Sequence, residues 1–354
     1  MERLEGGSPA HFDEKPFIVF WEVTRACTLA CLHCRAEAQL QRHPQELTAS
    51  EGFNLMDQIA ALGSPLFIIT GGDPLMRPGL LEFVEYATGK GLRVGLALSA
   101  TGLVTPKVLG RLKETGLARL SFSLDGPTAE IHDLFRRTKG SFERSVRCLT
   151  YAREVGLPLQ ISSTVSRYNA QDLEGIALKV AEFGATVWDV FFLVPTGRGR
   201  REDVLSPEEH EQVFEQLYAL SKSMPFAIKA TAAPHYRRFV LQREGTGALH
   251  IRDVNDGRGC CFISHIGEVY PSGFLPLRAG NVREKPLEEI YRRSRLFQEL
   301  RDVGKLKGKC GRCEYRRTCG GSRARAYALT GDHLAAEPCC VYQPGKDGYE
   351  TGSC

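Results

Sequence analysis

From Phe17 to about Pro195 the chain alternates two patterns of apolar and polar positions. Short runs rich in Val, Ile, Leu and Phe read as strands: "FIVFWEVT" (17–24), "LFIIT" (66–70), "LRVGLALSA" (92–100), "LARLSFSLD" (117–125), "LQISSTVS" (159–166) and "VWDVFFLV" (187–194). Between them, stretches with apolar residues three and four apart read as helices: Ala49–Leu62, Gly79–Thr88, Pro106–Thr115, Phe142–Val155 and Gln171–Phe183. Such β/α units with short connections predict an α/β fold, a parallel sheet covered by helices, either open or closed as a barrel. In both forms the functional residues gather past the carboxyl ends of the strands. Those ends read "TRAC", "TGGDP", "SATG", "LDGP", "SRYN" and "PTGRG". All are polar or glycine-rich and are expected to converge on one site.

Beyond Arg201 the pattern loosens. Ser206–Met224 reads as a helix with Ser206 as N-cap and Pro207 at the first helical position. "FAIKATAAPHYRRF" reads as an apolar strand and a bend at Pro234, and "HIRDVNDGRG" as a turn-rich linker. From Cys260 the composition shifts to cysteine, glycine and arginine, which marks a second, smaller domain. The expected division is a flexible tail (1–15), a β/α core (16–200), a helical bridge (201–256), a cysteine-rich domain (257–343) and a glycine-rich tail (344–354).

Composition narrows the class. Of 354 residues, 42% are hydrophobic and 25% charged, ordinary for a soluble globular protein. No apolar run reaches the roughly 18 residues of a membrane span, and the N-terminus lacks a signal-peptide core. A cytoplasmic protein is expected. The formal charge of +4 is too small to indicate nucleic acid. Basic residues do cluster at Arg198–Arg201, Arg237–Arg238, Arg292–Arg295 and Arg312–Arg325. These read either as solvated helix faces or as anchors for an anionic substrate. The 12 cysteines fall in groups: 27, 31 and 34; 148; 260 and 261; 310, 313 and 319; 339 and 340; 354. Without export, tight groups point to metal or cluster ligation rather than disulfides. Cys148, in "VRCLTYA", reads as a core thiol.

Cys27, Cys31 and Cys34 are spaced C-x3-C-x2-C directly after the first strand. Structural zinc commonly takes four ligands. Three cysteines on a 4Fe-4S cluster leave one iron without a protein ligand, open to an exogenous amine and carboxylate. In that spacing and position, "CTLACLHC" resembles the signature of the radical S-adenosylmethionine (SAM) enzymes. The resemblance implies a partial (β/α)6 barrel, with SAM on the open iron of a cluster held by these three residues. It also implies reductive cleavage of SAM to a 5′-deoxyadenosyl radical that abstracts hydrogen, with electrons from a donor such as ferredoxin or flavodoxin. "TGGDP" resembles the family's GGE segment, so Gly71, Gly72 and Asp73 are expected to receive the SAM amine. "SFSLDG" and "HDLFRR" resemble the segment that meets the ribose and carboxylate, which assigns Ser123 or Asp125 to ribose and Arg136 to the carboxylate. Thr164 and Leu193 are expected to flank ribose and adenine. Taken singly, a strand-end Asp is also a turn former and Leu193 a core residue. His33 stands where the family often has an aromatic and reads as a cover over the cluster. Ala100 lacks an amide that the family often has there and receives no role.

"CGRCEYRRTCGGSRARAYALTGDHLAAEPCC" resembles the SPASM domain that follows the barrel in many radical SAM enzymes and carries auxiliary iron–sulfur clusters. Two ligand positions of the full set are serines here, Ser272 in "GEVYPSG" and Ser322 in "CGGSRAR". Hydroxyls are poor ligands for such clusters. The expectation is therefore a single auxiliary 4Fe-4S cluster on Cys310, Cys313, Cys319 and either Cys340 or Cys339, with Cys340 preferred. A zinc ribbon is the alternative. Cys260 and Cys261 read as core residues, or Cys261 as a neighbour of substrate or cluster.

The segments "WEVTRACTLACLHCRAEA", "FFLVPTGRG", "KATAAPHYRR", "CFISHIGEVYP", "GNVRE" and "GKCGRCEYRRTCGG" together resemble the heme-synthase branch of the alternative heme pathway and its heme d1 relatives, over about Pro16 to Pro344. This implies an iron porphyrin as substrate and oxidative decarboxylation of its propionates to vinyl groups. His235 is then expected to meet the iron, and Arg237 or Arg238 a propionate. The two serines depart from that branch and leave room for a sister group with another substrate. The rival reading is a maturase of ribosomally made peptides, which commonly carries a leader-binding domain ahead of the barrel; the residues before Phe17 leave no room for one. A non-catalytic iron–sulfur or zinc scaffold is the third, and the matching SAM-site segments weigh against it.

Overall fold

A computed structural model of the chain describes residues 12–63, 65–245 and 253–345. Cys354 and nearly all of the glycine-rich tail lie outside the described residues. The first half runs β1 (Ile18–Glu22), α1 (Ala49–Ala61), β2 (Leu66–Thr70), α2 (Leu80–Gly89), β3 (Arg93–Leu98), α3 (Pro106–Glu114), β4 (Arg119–Ser123), α4 (Ala129–Arg136), α5 (Ser141–Val155), β5 (Leu159–Val165), α6 (Leu173–Glu182) and β6 (Val187–Phe192). Then follow α7 (Pro207–Ser223), β7 (Ala227–Thr231), α8 (His235–Glu244), β8 (Cys260–Ile263), β9 (Glu268–Tyr270) and β10 (Gly280–Asn281). Short helices complete the chain: α9 (Leu287–Arg293), α10 (Arg295–Arg301), α11 (Gly308–Gly311) and α12 (Arg323–Thr330).

All strands join one sheet in the order β10-β9-β8-β1-β2-β3-β4-β5-β6-β7. Pairing is parallel from β8 through β1 to β7, and antiparallel between β8, β9 and β10. Two features extend the expected six β/α units. β7 adds a further parallel strand beyond β6. β8, from the cysteine-rich part, pairs with β1 in the register Ile18↔Cys260 to Trp21↔Ile263. The second domain is thus not a separate body but a continuation of the first sheet.

The helix-covered face holds the core: Val19, Trp21, Phe67, Phe122 and Trp188 are all 1% exposed or less. The capping predicted for α7 is present: the Ser206 hydroxyl accepts from Glu209 N, and the Glu209 carboxylate accepts from Ser206 N. Helices α4 and α8 were not legible in the pattern. Their buried residues include His132 and Arg136, and His235 and Arg238, so an apolar stripe is missing although a buried face exists. The bend read at Pro234 is the start of α8.

Candidate active site at the strand ends

The loop after β1 carries Cys27, Cys31 and Cys34 and is tied down by backbone bonds from every side. Cys27 N donates to Gln39 O at 2.7 Å, Leu32 N to Phe135 O at 3.0 Å, and Arg198 N to Cys34 O at 3.0 Å. From the β2 end, Gly72 N donates to Thr24 O at 2.8 Å and Asp73 N to Ala26 O at 2.7 Å. The two loops touch so closely that a Cβ on Gly72 would lie 2.5 Å from Ala26 O and 2.7 Å from Arg25 O. Glycine is required there for close approach. Below the loop, buried Glu46 accepts from the Thr24 hydroxyl at 2.5 Å and from Arg77 at 2.8 Å.

N–H groups also reach the sulfurs. Leu29 N lies 3.4 Å from Cys27 Sγ, Ala38 N 3.4 Å from Cys34 Sγ, and Arg136 Nη1 3.5 Å from Cys31 Sγ. Such donors suit thiolates bound to iron. In the free chain, burial raises the thiols of Cys27 and Cys31 above their ordinary value; ligation to iron would reverse this.

The three cysteines open on a cavity of about 230 Å³. Gly71, Gly72, Ser123, Arg136, Thr164 and Leu193 all line it, so the successive strand ends converge as the sequence implied. The two predicted carboxylates stand behind the wall instead. Asp73, fully buried, accepts from Leu75 N at 3.1 Å and from the Thr101 hydroxyl at 2.7 Å. Asp125, equally buried, pairs with Arg136 at 2.5 Å and accepts from Thr164 N at 2.8 Å. Burial alone would raise Asp125, but the Arg136 charge outweighs it and holds the carboxyl below its usual range. Asp125 therefore aims Arg136 and Thr164 at the cavity. His33 lines the cavity and stacks on Phe135 at 4.2 Å with 15° between planes. Burial lowers its pKa to about 3, so it is neutral.

Sequence reasoning missed several lining residues. Ser99 lies 3.8 Å from Cys27 Sγ and donates to Gly72 O at 2.9 Å. Ser121 and Ser162 face each other at 2.9 Å. Their alternation with buried apolar neighbours was the available signal. Phe274 has no local signal; it reaches the cavity from the segment after β9 and packs on Phe191 at 6.1 Å.

At the other cysteine group, Cys313 and Cys319 each lie within electrostatic reach of both Cys310 and Cys340. Cys339 turns away, towards Leu205 O at 3.7 Å, and packs with Leu193 and Val204. Glu337 N donates to Cys310 Sγ at 3.2 Å and Gly321 N to Cys319 Sγ at 3.3 Å. Among the described residues no three His, Cys, Asp or Glu side chains are close enough to share one metal ion. A zinc ribbon needs four ligands around one ion, whereas a 4Fe-4S cluster takes each thiolate at a different iron. Ser322 caps α12, accepting from Arg325 N at 3.1 Å, and its N donates to Glu337 at 2.7 Å. Ser272 accepts from Phe274 N at 3.3 Å. Both serines have structural tasks.

The residues assigned to the substrate are elsewhere. His235 is fully buried, its ring 4.8 Å from Phe214 and 5.3 Å from His210. Arg237 donates to Thr318 O at 3.0 Å and to Val254 O at 2.6 Å, and Arg238 pairs with Glu211. None of the three lines the cavity, so their expected substrate role has no support in the geometry. The other arginine clusters are also engaged internally: Arg198 holds Cys31 O, Arg201 holds Ala328 O, Arg292 and Arg295 pair within their own helices, and Arg325 pairs with Glu337. Cys148 and Cys261 lie in the main core.

Residues 21–180 match the model of the radical SAM superfamily, and 255–314 that of SPASM, an iron–sulfur cluster-binding domain. Over 342 residues, 94% of this chain and 98% of the relative, the sequence is 42% identical to the AdoMet-dependent heme synthase of Methanosarcina barkeri. The chain belongs to the radical SAM superfamily. This radical SAM enzyme is also 44% identical to the AdoMet-dependent heme synthase of Nitratidesulfovibrio vulgaris, covering 97% of the chain and 95% of the relative. It is 33% identical to the mycofactocin maturase MftC of Mycobacterium tuberculosis, over 96% of the chain and 85% of the relative. Its fold matches Streptococcus suis SuiB bound to S-adenosylmethionine with a TM-score of 0.74 at 13% identity, covering 93% of this chain and 78% of that one. The enzyme uses a 4Fe-4S cluster with SAM, and its SPASM domain is of the kind that carries auxiliary iron–sulfur clusters. Among the described residues no helix is long and apolar enough to cross a membrane.

Proposed function

We propose that this enzyme oxidatively decarboxylates propionate side chains of an iron porphyrin, forming vinyl groups. The observation that carries the reading is identity of 42–44% over nearly the full length of two AdoMet-dependent heme synthases, against 33% to the mycofactocin maturase MftC. Cys27, Cys31 and Cys34 would hold the first cluster; Cys310, Cys313, Cys319 and Cys340 would hold a single auxiliary one. Bound there, the first cluster and SAM would supply a 5′-deoxyadenosyl radical for hydrogen abstraction, and the auxiliary cluster would supply an electron acceptor for the loss of carbon dioxide.

The chain's own part is to hold and shield. Gly71 and Gly72 present backbone groups to the SAM amine, and Arg136, locked by Asp125, faces its carboxylate. Ser123 and Thr164 offer groups to the ribose, and Leu193 an apolar surface to the adenine. Phe191 and Phe274 give the cavity an apolar wall, their rings 6.1 Å apart, of the kind that shields a reactive intermediate from water. The enzyme works in the cytoplasm with a ferredoxin or flavodoxin as reductant.

The test is anaerobic turnover of reconstituted enzyme with SAM, dithionite and iron-coproporphyrin III, following 5′-deoxyadenosine and porphyrin mass together. Porphyrin-dependent SAM cleavage with stepwise loss of carboxylates is expected. SAM cleavage with an unchanged porphyrin would overturn the substrate and turn the search to peptides.

A further inference from the structure

Besides Ser123 and Thr164, the inner face of the sheet carries polar residues to which the SAM reading gives no role. In a parallel sheet packed on both faces the strands are apolar throughout. Here the helix-facing residues of β4 to β6 are buried and, Ser163 apart, apolar, while most inward positions are polar and half-exposed. One cluster stands out beside the cavity. The Asp189 carboxylate, 3% exposed, accepts from the Thr231 hydroxyl at 2.5 Å, from Lys229 Nζ at 2.8 Å and from Gln160 at 3.5 Å. Gln160 also reaches the Ser162 hydroxyl at 3.3 Å, and Ser162 lines the cavity. A chain of side chains thus runs from the SAM site to Asp189.

Lys229 is the open end of this chain. Its side chain is 54% exposed although its partner is buried. An ammonium has three donors, and among the described residues the bond to Asp189 is its one side-chain bond. Arg119, on the same inner face, is close enough to feel the Asp189 charge, and its buried Nε has no hydrogen-bond partner among the described residues. The inward side chains of β4 to β7 therefore set two cations against one carboxylate. Lys229 is in register with Asp189, two residues before cavity-lining Phe191. Asp189 is in turn in register with cavity-lining Ser162 on β5, and Ser162 with cavity-lining Ser123 on β4, so Lys229 shares their row. Lys229 is also within electrostatic reach of Cys260 on β8, so the two ends of the parallel array face each other across this space.

We propose that this inner wall is the substrate-recognition surface and that Lys229, oriented by Asp189, binds a carboxylate of the substrate. The proposal rests on the porphyrin reading above and assigns the anion-binding role to the wall instead of the arginine clusters. A solvated surface pair would leave its carboxylate exposed as well; here the carboxylate is buried and donated to by three side chains, which fixes the lysine in one place.

The test is equilibrium titration of iron-coproporphyrin III into reconstituted, SAM-loaded enzyme, followed by the porphyrin absorbance band. Lys229→Met is expected to weaken binding about tenfold, the loss of one charge-assisted hydrogen bond. KM should rise in parallel while kcat changes little, and Lys229→Arg should restore most of the affinity. The methyl-esterified porphyrin should bind wild type and Lys229→Met alike. Equal binding of the free acid by wild type and Lys229→Met, at matched iron content, would overturn the role of Lys229 alone. A wild-type enzyme that binds no porphyrin would overturn the substrate reading and this role with it.

Discussion

Cys339 and Cys340 are neighbours in the chain and opposites in space. Adjacent side chains of a loop point different ways, so the cysteine spacing alone leaves both available as the fourth auxiliary ligand. The fold separates them: Cys340 faces Cys313 and Cys319, while Cys339 faces Leu205 O and packs against Leu193. Cys340→Ser is expected to lose about four irons per chain, the content of one cluster, with the first cluster retained. Cys339→Ser should keep its full iron content, as read by iron and sulfide assay with the visible absorbance. Equal loss in both variants would refute the assignment. At the same scale, the two aspartates stand behind the cavity wall rather than in it. A strand-end carboxylate in a SAM-site segment looks like a ligand-binding group; only coordinates reveal that Thr101 and Arg136 already occupy those of Asp73 and Asp125.

At the scale of elements, the decisive contact is loop on loop. The β2 end lies against the cysteine loop at Gly71 and Gly72, where an added Cβ would meet backbone oxygen rather than a flexible side-chain end. Gly72→Ala is expected to force the loops apart. The first cluster should then reconstitute to below about half of the wild-type level, and SAM cleavage should fall at least tenfold, a change of about 1.4 kcal/mol or more. Electron paramagnetic resonance of the reduced protein, which separates the two clusters by SAM-induced changes, checks this. Wild-type signal from the SAM-binding cluster would show that the approach tolerates a methyl group. Strands β1–β7 and helices α1–α3 and α5–α7 were legible because their apolar period is set by burial on one face. Helices α4 and α8 were not: they bury His and Arg, whose partners lie outside the helix, Asp125 for Arg136 and Glu211 for Arg238.

The whole molecule is joined through the end of β1. Glu22 is fully buried and holds Arg35 at 2.9 Å, Arg25 at 3.2 Å and His265 at 3.0 Å. Arg35 follows Cys34 directly and lies over the Phe262 ring at 4.5 Å, so this carboxylate links the cysteine loop to the β8–β9 hairpin. Burial alone would raise the Glu22 pKa; Arg35, the His265 hydrogen bond and Arg25 overcome it and bring it to about 2. A depressed carboxylate pKa stabilises the fold above its ordinary value, near 4.5, and this stability is lost as pH falls towards 2. The contribution at neutral pH is about 3 kcal/mol. Glu22→Gln should therefore unfold at lower urea at pH 7, and its deficit relative to wild type should shrink below about pH 4.5. A deficit that stays constant down to pH 3.5 would assign the loss to packing instead.

The sequence by itself determined the β/α order, the cysteine loop and the strand-end segments that meet around the cavity. Those signals are local: period follows from one-sided burial, and the three cysteines lie within one loop. Tertiary structure alone decided that β8 completes the sheet beside β1, that Phe274 lines the cavity, and that Lys229 pairs with buried Asp189. Each of these depends on contacts between segments far apart in the chain, and no local pattern records which distant partner a side chain will meet.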